Sequence, residues 1–361
     1  MQLSQIEIIN LWDEENITLS FKNRVTFLTG INGSGKSTLL NIIYDTLDIN
    51  AKKGLPATSK NRFWSAEATF KDGAVIQTAI LPDTDEQKSI KEEITRLHQE
   101  NPSLHNFKTL KKIECFYQQD EENKEIHHIN YSGDIKGQFN IQTLSSEFEA
   151  YPPNKPLAFL FQEDRVSLHN IEKSNIDFSL NYWQLYKNSI DGRFAYLRDS
   201  LQISESHTNT IAQKLLKNIL LKKISPESKE YKDWQDKIQS IEQVTSLLNT
   251  YFSDSGKKLT KDEDNKITLK WISNSEKISW HLLSRGEKTL IYLFFAVFLY
   301  KDKVSVFLFD EPEISLHVKW QHTLIKHLSE LAPDNQFIIA THSPSLVQNG
   351  WLGNCLDVSN A

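Results

Sequence analysis

The sequence predicts an α/β fold built on a mixed central sheet, and three stretches predict it. An apolar run at residues 25–29 enters a Gly-rich loop and then an apolar helix. A second apolar run, 304–309, leads directly into two carboxylates, Asp310 and Glu311. A third, 337–340, ends at Thr341-His342. Short apolar strands separated by helical patterns indicate parallel pairing, with chemistry gathered at the carboxyl edge of the sheet.

The elements follow in order. Leu3, Ile6 and Ile8, then Ile17, Leu19 and Phe21, alternate with polar residues. They predict two strands around Asp13-Glu14-Glu15-Asn16. Residues 25–29 form a strand apolar enough to be buried on both faces. Leu39, Leu40, Ile42 and Ile43 open a helix. Residues 60–150 are β-rich and predict an antiparallel side sheet. There, 66–70 and 74–80 flank Lys71-Asp72-Gly73, a hairpin turn. Likewise 113–117 and 125–131 flank Asp120-Glu121-Glu122-Asn123, and Ile90, Ile94 and Leu97 keep helical spacing between the pairs.

A charged, Ser-rich middle begins near Ser167. Ile211, Leu215, Leu216, Ile219 and Leu220 share one helix face. Ser225-Pro226-Glu227 reads as a cap with Pro in the first turn. Tyr231, Trp234, Ile238, Ile241, Val244 and Leu248 form a second stripe. The two predict an inserted helical hairpin, an arm of ~35 Å for ~25 residues. The last hundred residues alternate again: helix 289–299, strand 304–309, helix 320–331, strand 337–340. The expected divisions are an N-terminal lobe at 1–165, a helical insertion at 166–275 and a C-terminal lobe at 276–361.

Composition narrows the classes. The chain has 361 residues, 39% hydrophobic and 24% charged, which suits a globular protein with a sizeable core. Twelve Gly and ten Pro are too few for a linker-rich or disordered chain. The net charge of −6 supplies no global basic field for nucleic acid, although a local patch stays open. Two cysteines build neither a disulfide framework nor a cysteine-rich zinc site, and they fit a reducing compartment. The longest apolar run, 293–300, falls well short of the ~20 residues of a membrane span. No signal core opens the chain. A cytoplasmic location without a membrane partner is the expectation.

Four motifs carry chemistry. Gly30-Ile31-Asn32-Gly33-Ser34-Gly35-Lys36-Ser37-Thr38 fits the phosphate-binding pattern G-x-x-x-x-G-K-[ST]. Its glycines let backbone N–H groups turn toward phosphate oxygens, and the following helix presents its positive end. Nucleotide contacts therefore run from Asn32 through Gly33, Ser34, Gly35, Lys36, Ser37 and Thr38. Lys36 reaches the β and γ phosphates, and Ser37 ligates Mg²⁺. In the second motif, Phe307-Leu308-Phe309-Asp310-Glu311, Asp310 holds Mg²⁺ through water and Glu311 serves as general base. The third, Leu283-Ser284-Arg285-Gly286-Glu287-Lys288, precedes an apolar helix. A capping box alone explains Ser284 and Glu287 with no catalytic role. The fourth, Thr341-His342-Ser343-Pro344, puts a His at a strand's carboxyl end, where it can contact the γ-phosphate or position water.

In this order the motifs resemble the ABC-type ATPase heads of the SMC, RecF and OLD families. Leu283 to Glu287 looks like their signature. Asp310-Glu311-Pro312-Glu313-Ile314-Ser315-Leu316-His317, followed by Trp320-Gln321, is similar to the D-E-P-E-x-x-L-H-P-x-x-Q run of OLD-like ATPases. The same run marks ATPase subunits of bacterial anti-phage systems such as Septu. Val318 and Trp320 stand near a place where Pro is common. The likeness is close over about 1–50 and 280–350; the middle matches in layout only.

The resemblance implies a P-loop NTPase of ABC-ATPase type acting as a head-to-tail dimer. ATP is then held between the phosphate loop of one copy and Ser284 and Gly286 of the other. It also implies a glutamine at Mg²⁺ and the attacking water. Gln162 has the favoured context, and Gln118 and Gln119 compete. Asn10 and Trp12 lie in the turn that approaches the nucleotide. Trp12 either stacks on adenine or packs at the surface. Arg165 is a phosphate contact or a surface ion pair, and His317 reads as structural or interfacial. OLD nucleases append a nuclease domain after the ATPase, whereas this chain stops near Ala361. A separate effector, a nuclease or toxin, is therefore expected to deliver the output. The leading expectation is an ATP-hydrolysing switch subunit in bacterial defence. A RecF- or SMC-like DNA repair ATPase is the alternative. A transporter subunit fits the signature poorly, and a non-hydrolysing ATP-gated scaffold is separated by the behaviour of Glu311.

Overall fold

A computed structural model describes residues 1–11, 15–47, 64–82, 126–132, 138–145, 156–162, 189–221, 225 and 228–360. The chain divides into two compact units. The first comprises 1–161, 300–312 and 333–361, and the second 162–299 and 313–332.

Among the described residues, the first unit holds two sheets. The first sheet has six strands. These are β1 (Leu3–Leu11), β2 (Glu15–Ser20), β4 (Trp64–Phe70), β5 (Val75–Pro82), β6 (Ile126–Ser132) and β7 (Gln138–Ser145). They run in the order β2-β1-β4-β5-β7-β6, each pair antiparallel. This is the expected side sheet. Ile6 faces Leu19 and Ile8 faces Ile17, so the alternating residues share one buried face. Gly73 (φ 87°) makes the expected turn between β4 and β5.

The second sheet has five strands. These are β3 (Val25–Thr29), β8 (Ala158–Gln162), β12 (Val306–Asp310), β13 (Gln336–Ala340) and β14 (Cys355–Asp357). The order is β14-β3-β13-β12-β8, with β14, β3, β13 and β12 mutually parallel. Strands β3, β12 and β13 are nearly wholly buried, which explains their unbroken apolar sequences. Helix α1 (Lys36–Leu47) packs against both sheets and buries Leu39, Leu40, Ile42 and Ile43. The buried Gln336 amide ties the two sheets together. Its Oε1 accepts from the Leu3 N–H at 2.8 Å, and its Nε2 donates to the Leu3 carbonyl at 2.9 Å.

The second unit carries the longer helices. Helix α2 (Ile190–Leu220) has 31 residues, about 46 Å at 1.5 Å rise, and Ser189 caps it by accepting from the Gly192 N–H. Helix α3 (Lys229–Ser253) is capped by Ser228. A three-stranded antiparallel sheet follows, β9 (Lys257–Lys261), β10 (Ile267–Trp271) and β11 (Lys277–Ile278), in the order β11-β10-β9. Helices α4 (Arg285–Tyr300) and α5 (Val318–Leu331) complete the unit, and short α6 (Pro344–Val347) belongs to the first.

Several expectations shift. Helix α2 starts 21 residues before the stripe at Ile211. Its middle, Ser204-Glu205-Ser206-His207-Thr208-Asn209-Thr210, is too polar to show an apolar face. The β9–β11 sheet and β14 were not foreseen. Helix α4 begins at Arg285, four residues early, because Ser284 caps it. The proposed strand 113–117 and the helical spacing at 90–97 lie outside the described residues. No helix among the described residues is long and apolar enough to cross a membrane.

Candidate functional site

The phosphate loop joins β3 to α1. Gly33 (φ 85°) and Gly35 (φ 83°) hold left-handed backbone that a side chain would strain. A Cβ on Gly30 would also come within 2.7 Å of the Ser359 hydroxyl and 2.8 Å of the Ser34 hydroxyl. Asn32 and Gly33 are exposed at the crest of the loop. Lys36 is buried, and its ammonium bonds the carbonyls of Gly30 (3.1 Å) and Ile31 (3.0 Å) and the Ser34 hydroxyl (3.3 Å). The cation is folded over its own loop. Ser37 and Thr38 occupy the first turn of α1.

Register explains how distant residues meet here. Leu28 pairs with Ala340, and Ala340 with Asp310, so the carboxyl ends of β3, β13 and β12 lie side by side. Ser37 Oγ donates to Asp310 Oδ1 at 2.9 Å, across 273 residues of sequence. Asp310 is the buried last residue of β12. A hydroxyl and a carboxylate in contact are the hard oxygen donors that suit Mg²⁺, so these residues fit that ion.

Glu311 follows with φ 49°, an uncommon conformation for a side-chain-bearing residue. Its N–H donates to the Ala340 carbonyl at 2.9 Å. The His342 N–H donates to Glu311 Oε2 at 3.2 Å, and His342 Nε2 stands 3.5 Å from Glu311 Oε1. The carboxylate is thus clamped by the segment that follows β13. Backbone held in a sparsely populated region beside a buried acid is an arrangement found at reactive sites.

The signature residues lie in the second unit. Ser284 and Glu287 form a reciprocal capping box. Ser284 N–H donates to Glu287 Oε2 (2.8 Å), and Glu287 N–H donates to Ser284 Oγ (3.2 Å). Gly286 is buried against the chain after β12. A Cβ there would lie 2.3 Å from the Ser315 carbonyl oxygen. Ser315 itself has φ 69°.

Gln162 ends β8, half-buried, and its carbonyl accepts from the Arg193 guanidinium. Asn10 lies in β1. His317 is the N-cap of α5, its Nδ1 accepting from the Lys319 N–H at 3.3 Å, a structural task. Trp12, Gln118, Gln119 and Arg165 lie outside the described residues.

Sequence reasoning passed over three residues at these loops. Lys257 on β9 pairs with Glu287 at 2.6 Å. Asp191 in the first turn of α2 pairs with Lys288 at 2.5 Å. The Ser359 hydroxyl accepts from the Ile31 N–H at 3.2 Å. None stands at a motif spacing from its partner, so no sequence signal marked it.

Comparison with known proteins finds relatives over most of the chain. A family model described as "AAA domain, putative AbiEii toxin, Type IV TA system" matches residues 25–348. The Retron Ec83 probable ATPase of Escherichia coli is 26% identical over 416 residues, covering 98% of this chain and 71% of that protein. The Retron Vc95 probable ATPase of Vibrio cholerae serotype O1 biovar El Tor is 25% identical over 384 residues, covering 93% and 70%. Endonuclease GajA of Bacillus cereus (strain VD045) is 24% identical over 363 residues, covering 96% of this chain and 56% of GajA. Among solved structures, an Smc head bound to the C-winged helix domain of ScpA aligns over 97% of this chain and 92% of that one, with 14% identity and TM-score 0.46. With its phosphate loop, its acid-ended strand β12 and the histidine just after β13 all inside the matched span, the chain belongs to this AAA-domain ATPase family.

Proposed function

We propose that this chain binds ATP with Mg²⁺ and hydrolyses it, that two copies pair head to tail around the nucleotide, and that the cycle switches a separate effector in bacterial anti-phage defence. One observation carries the ATPase reading. The Ser37–Asp310 contact and the Glu311–His342 contact sit together at the carboxyl edge of the sheet that carries the phosphate loop.

The residues divide the work. Loop amides and the N-terminus of α1 hold the phosphate oxygens. The Lys36 ammonium exchanges its loop carbonyls for the β and γ phosphates. Ser37 and Asp310 would hold Mg²⁺, which when bound neutralises phosphate charge. Glu311 accepts a proton from water, whose oxygen attacks the γ-phosphorus as ADP departs. His342 fixes the Glu311 carboxylate through its backbone N–H and faces it with its ring. Gln162 is assigned to the metal and the water, and Trp12 to the adenine. Ser284 and Gly286 of the second copy close the pocket.

The defence role is supported by the D-E-P-E run, which resembles anti-phage ATPase subunits, and by the likeness to retron probable ATPases and GajA. The effector is assigned as a nuclease or toxin on a separate polypeptide. Glu311→Gln tests the chemistry. Loss of a general base lowers kcat by ~10²–10⁴. The variant is expected to keep ATP binding and to accumulate as an ATP-dependent dimer in size-exclusion chromatography. Hydrolysis at the wild-type rate would remove Glu311 from the mechanism.

A further inference from the structure

The capping box at the signature has an outer support that the motif does not contain. Glu287 is 3% exposed, and one of its oxygens, Oε2, is taken by the Ser284 N–H. The other, Oε1, accepts from Lys257 Nζ at 2.6 Å. A buried carboxylate needs a counter-charge, and Lys257 supplies it. Lys257 is held in its turn. Its side chain is 17% exposed, and its ammonium lies 4.8 Å from the centre of the Trp271 ring, on the neighbouring strand β10.

The consequence falls on the Ser284 hydroxyl. Its oxygen accepts from the Glu287 N–H at 3.2 Å, so its own proton is left to donate elsewhere. Ser284 is exposed, so that proton points to whatever approaches the loop. Without the ammonium of Lys257 on its Oε1, Glu287 has reason to turn toward water. That change releases the Ser284 N–H and the orientation of its hydroxyl.

We propose that Lys257 is a positioning residue for Ser284: it holds Glu287, and Glu287 holds the signature serine as a hydrogen-bond donor toward a nucleotide phosphate. The kinetic consequence rests on the ATPase reading above; the structural coupling does not.

The test uses the full chain with Lys257→Met, Lys257→Arg, Ser284→Ala and the double variant Lys257→Met/Ser284→Ala. Lys257→Met is expected to lower kcat about tenfold while leaving equilibrium binding of a fluorescent ATP analogue within about twofold. Lys257→Arg keeps the charge and recovers most of the rate. In the Ser284→Ala background, Lys257→Met should change kcat by less than about twofold, because both act through one hydroxyl. Amide exchange at residues 284–287 should quicken about tenfold in Lys257→Met, with the rest of α4 unaffected.

Losses that multiply in the double variant, or unchanged exchange at 284–287, overturn the role of Lys257. A wild-type kcat in Ser284→Ala overturns the two-copy site instead, and exchange still decides for Lys257. Should Lys257→Met not fold, Lys257→Gln, which keeps a donor and loses the charge, replaces it in each measurement.

Discussion

Gly286 has two separate reasons to be glycine. The resemblance puts it against the nucleotide of a second copy. The structure puts the Ser315 carbonyl 2.3 Å from where its Cβ would lie. The second reason alone predicts that Gly286→Ala lowers stability by about 1–3 kcal/mol, as overpacking against backbone does. Urea melts check this, and an unchanged midpoint would contradict it. Loss of activity in that variant therefore says nothing of nucleotide contact, and Ser284 is the better probe. Ser284→Ala should cost about 0.5–2 kcal/mol as a lost cap and leave the fold in place. At this scale the phosphate loop was legible because its pattern is contiguous and its chemistry local. Lys257 was not, since a lysine 30 residues from its glutamate becomes a partner only when β9 pairs with β10.

Helices α3 and α5 meet around Tyr251, whose ring packs against Phe294, Trp320 and His327. Thr323 Oγ1 bonds the Tyr251 hydroxyl at 3.1 Å, and that hydroxyl bonds His327 Nδ1 at 2.6 Å. With Tyr251 as donor, the imidazole is neutral. Burial holds the His327 pKa below its usual value, against Glu330, which raises it, and Lys326 adds to the lowering. The sign follows. The unfolded imidazole takes a proton near pH 6.5, and the folded one resists it. The stability contributed by neutral His327 is complete above that pH and is lost as pH falls through the depressed folded value. Urea midpoints at pH 7.5 and 5.0 should therefore fall further for wild type than for His327→Gln. Equal falls would contradict the account. The stripe from Tyr231 to Leu248 made α3 legible, and the Lys71-Asp72-Gly73 turn made β4 and β5 legible. Helix α2 was half visible because its polar middle is helical through its length and cap, not through an apolar face. In the β9–β11 sheet, Ile267, Leu269 and Trp271 alternate on β10, but Lys-rich β9 carries a single apolar residue and β11 is two residues long, so its partners do not announce themselves as strands.

For the whole molecule, the sequence carried the order of motifs but not the strand order. That order follows from pairing: β14 returns beside β3, and Gln336 stitches Leu3 to the parallel sheet across 333 residues. Asp310 meets Ser37 of the phosphate loop within one unit, whereas Ser284 and Gly286 belong to the other. The proposed pocket takes its two halves from two copies, and mixing two disabled chains tests that claim. Lys36→Ala removes the phosphate-loop cation and Ser284→Ala removes the signature hydroxyl, so each variant alone should be nearly inactive. In a head-to-tail dimer of one copy of each, one pocket combines both defects and the other has neither. An equal mixture that re-pairs freely should therefore recover about a quarter of wild-type ATPase activity. A mixture no more active than the sum of its two components would contradict the shared pocket.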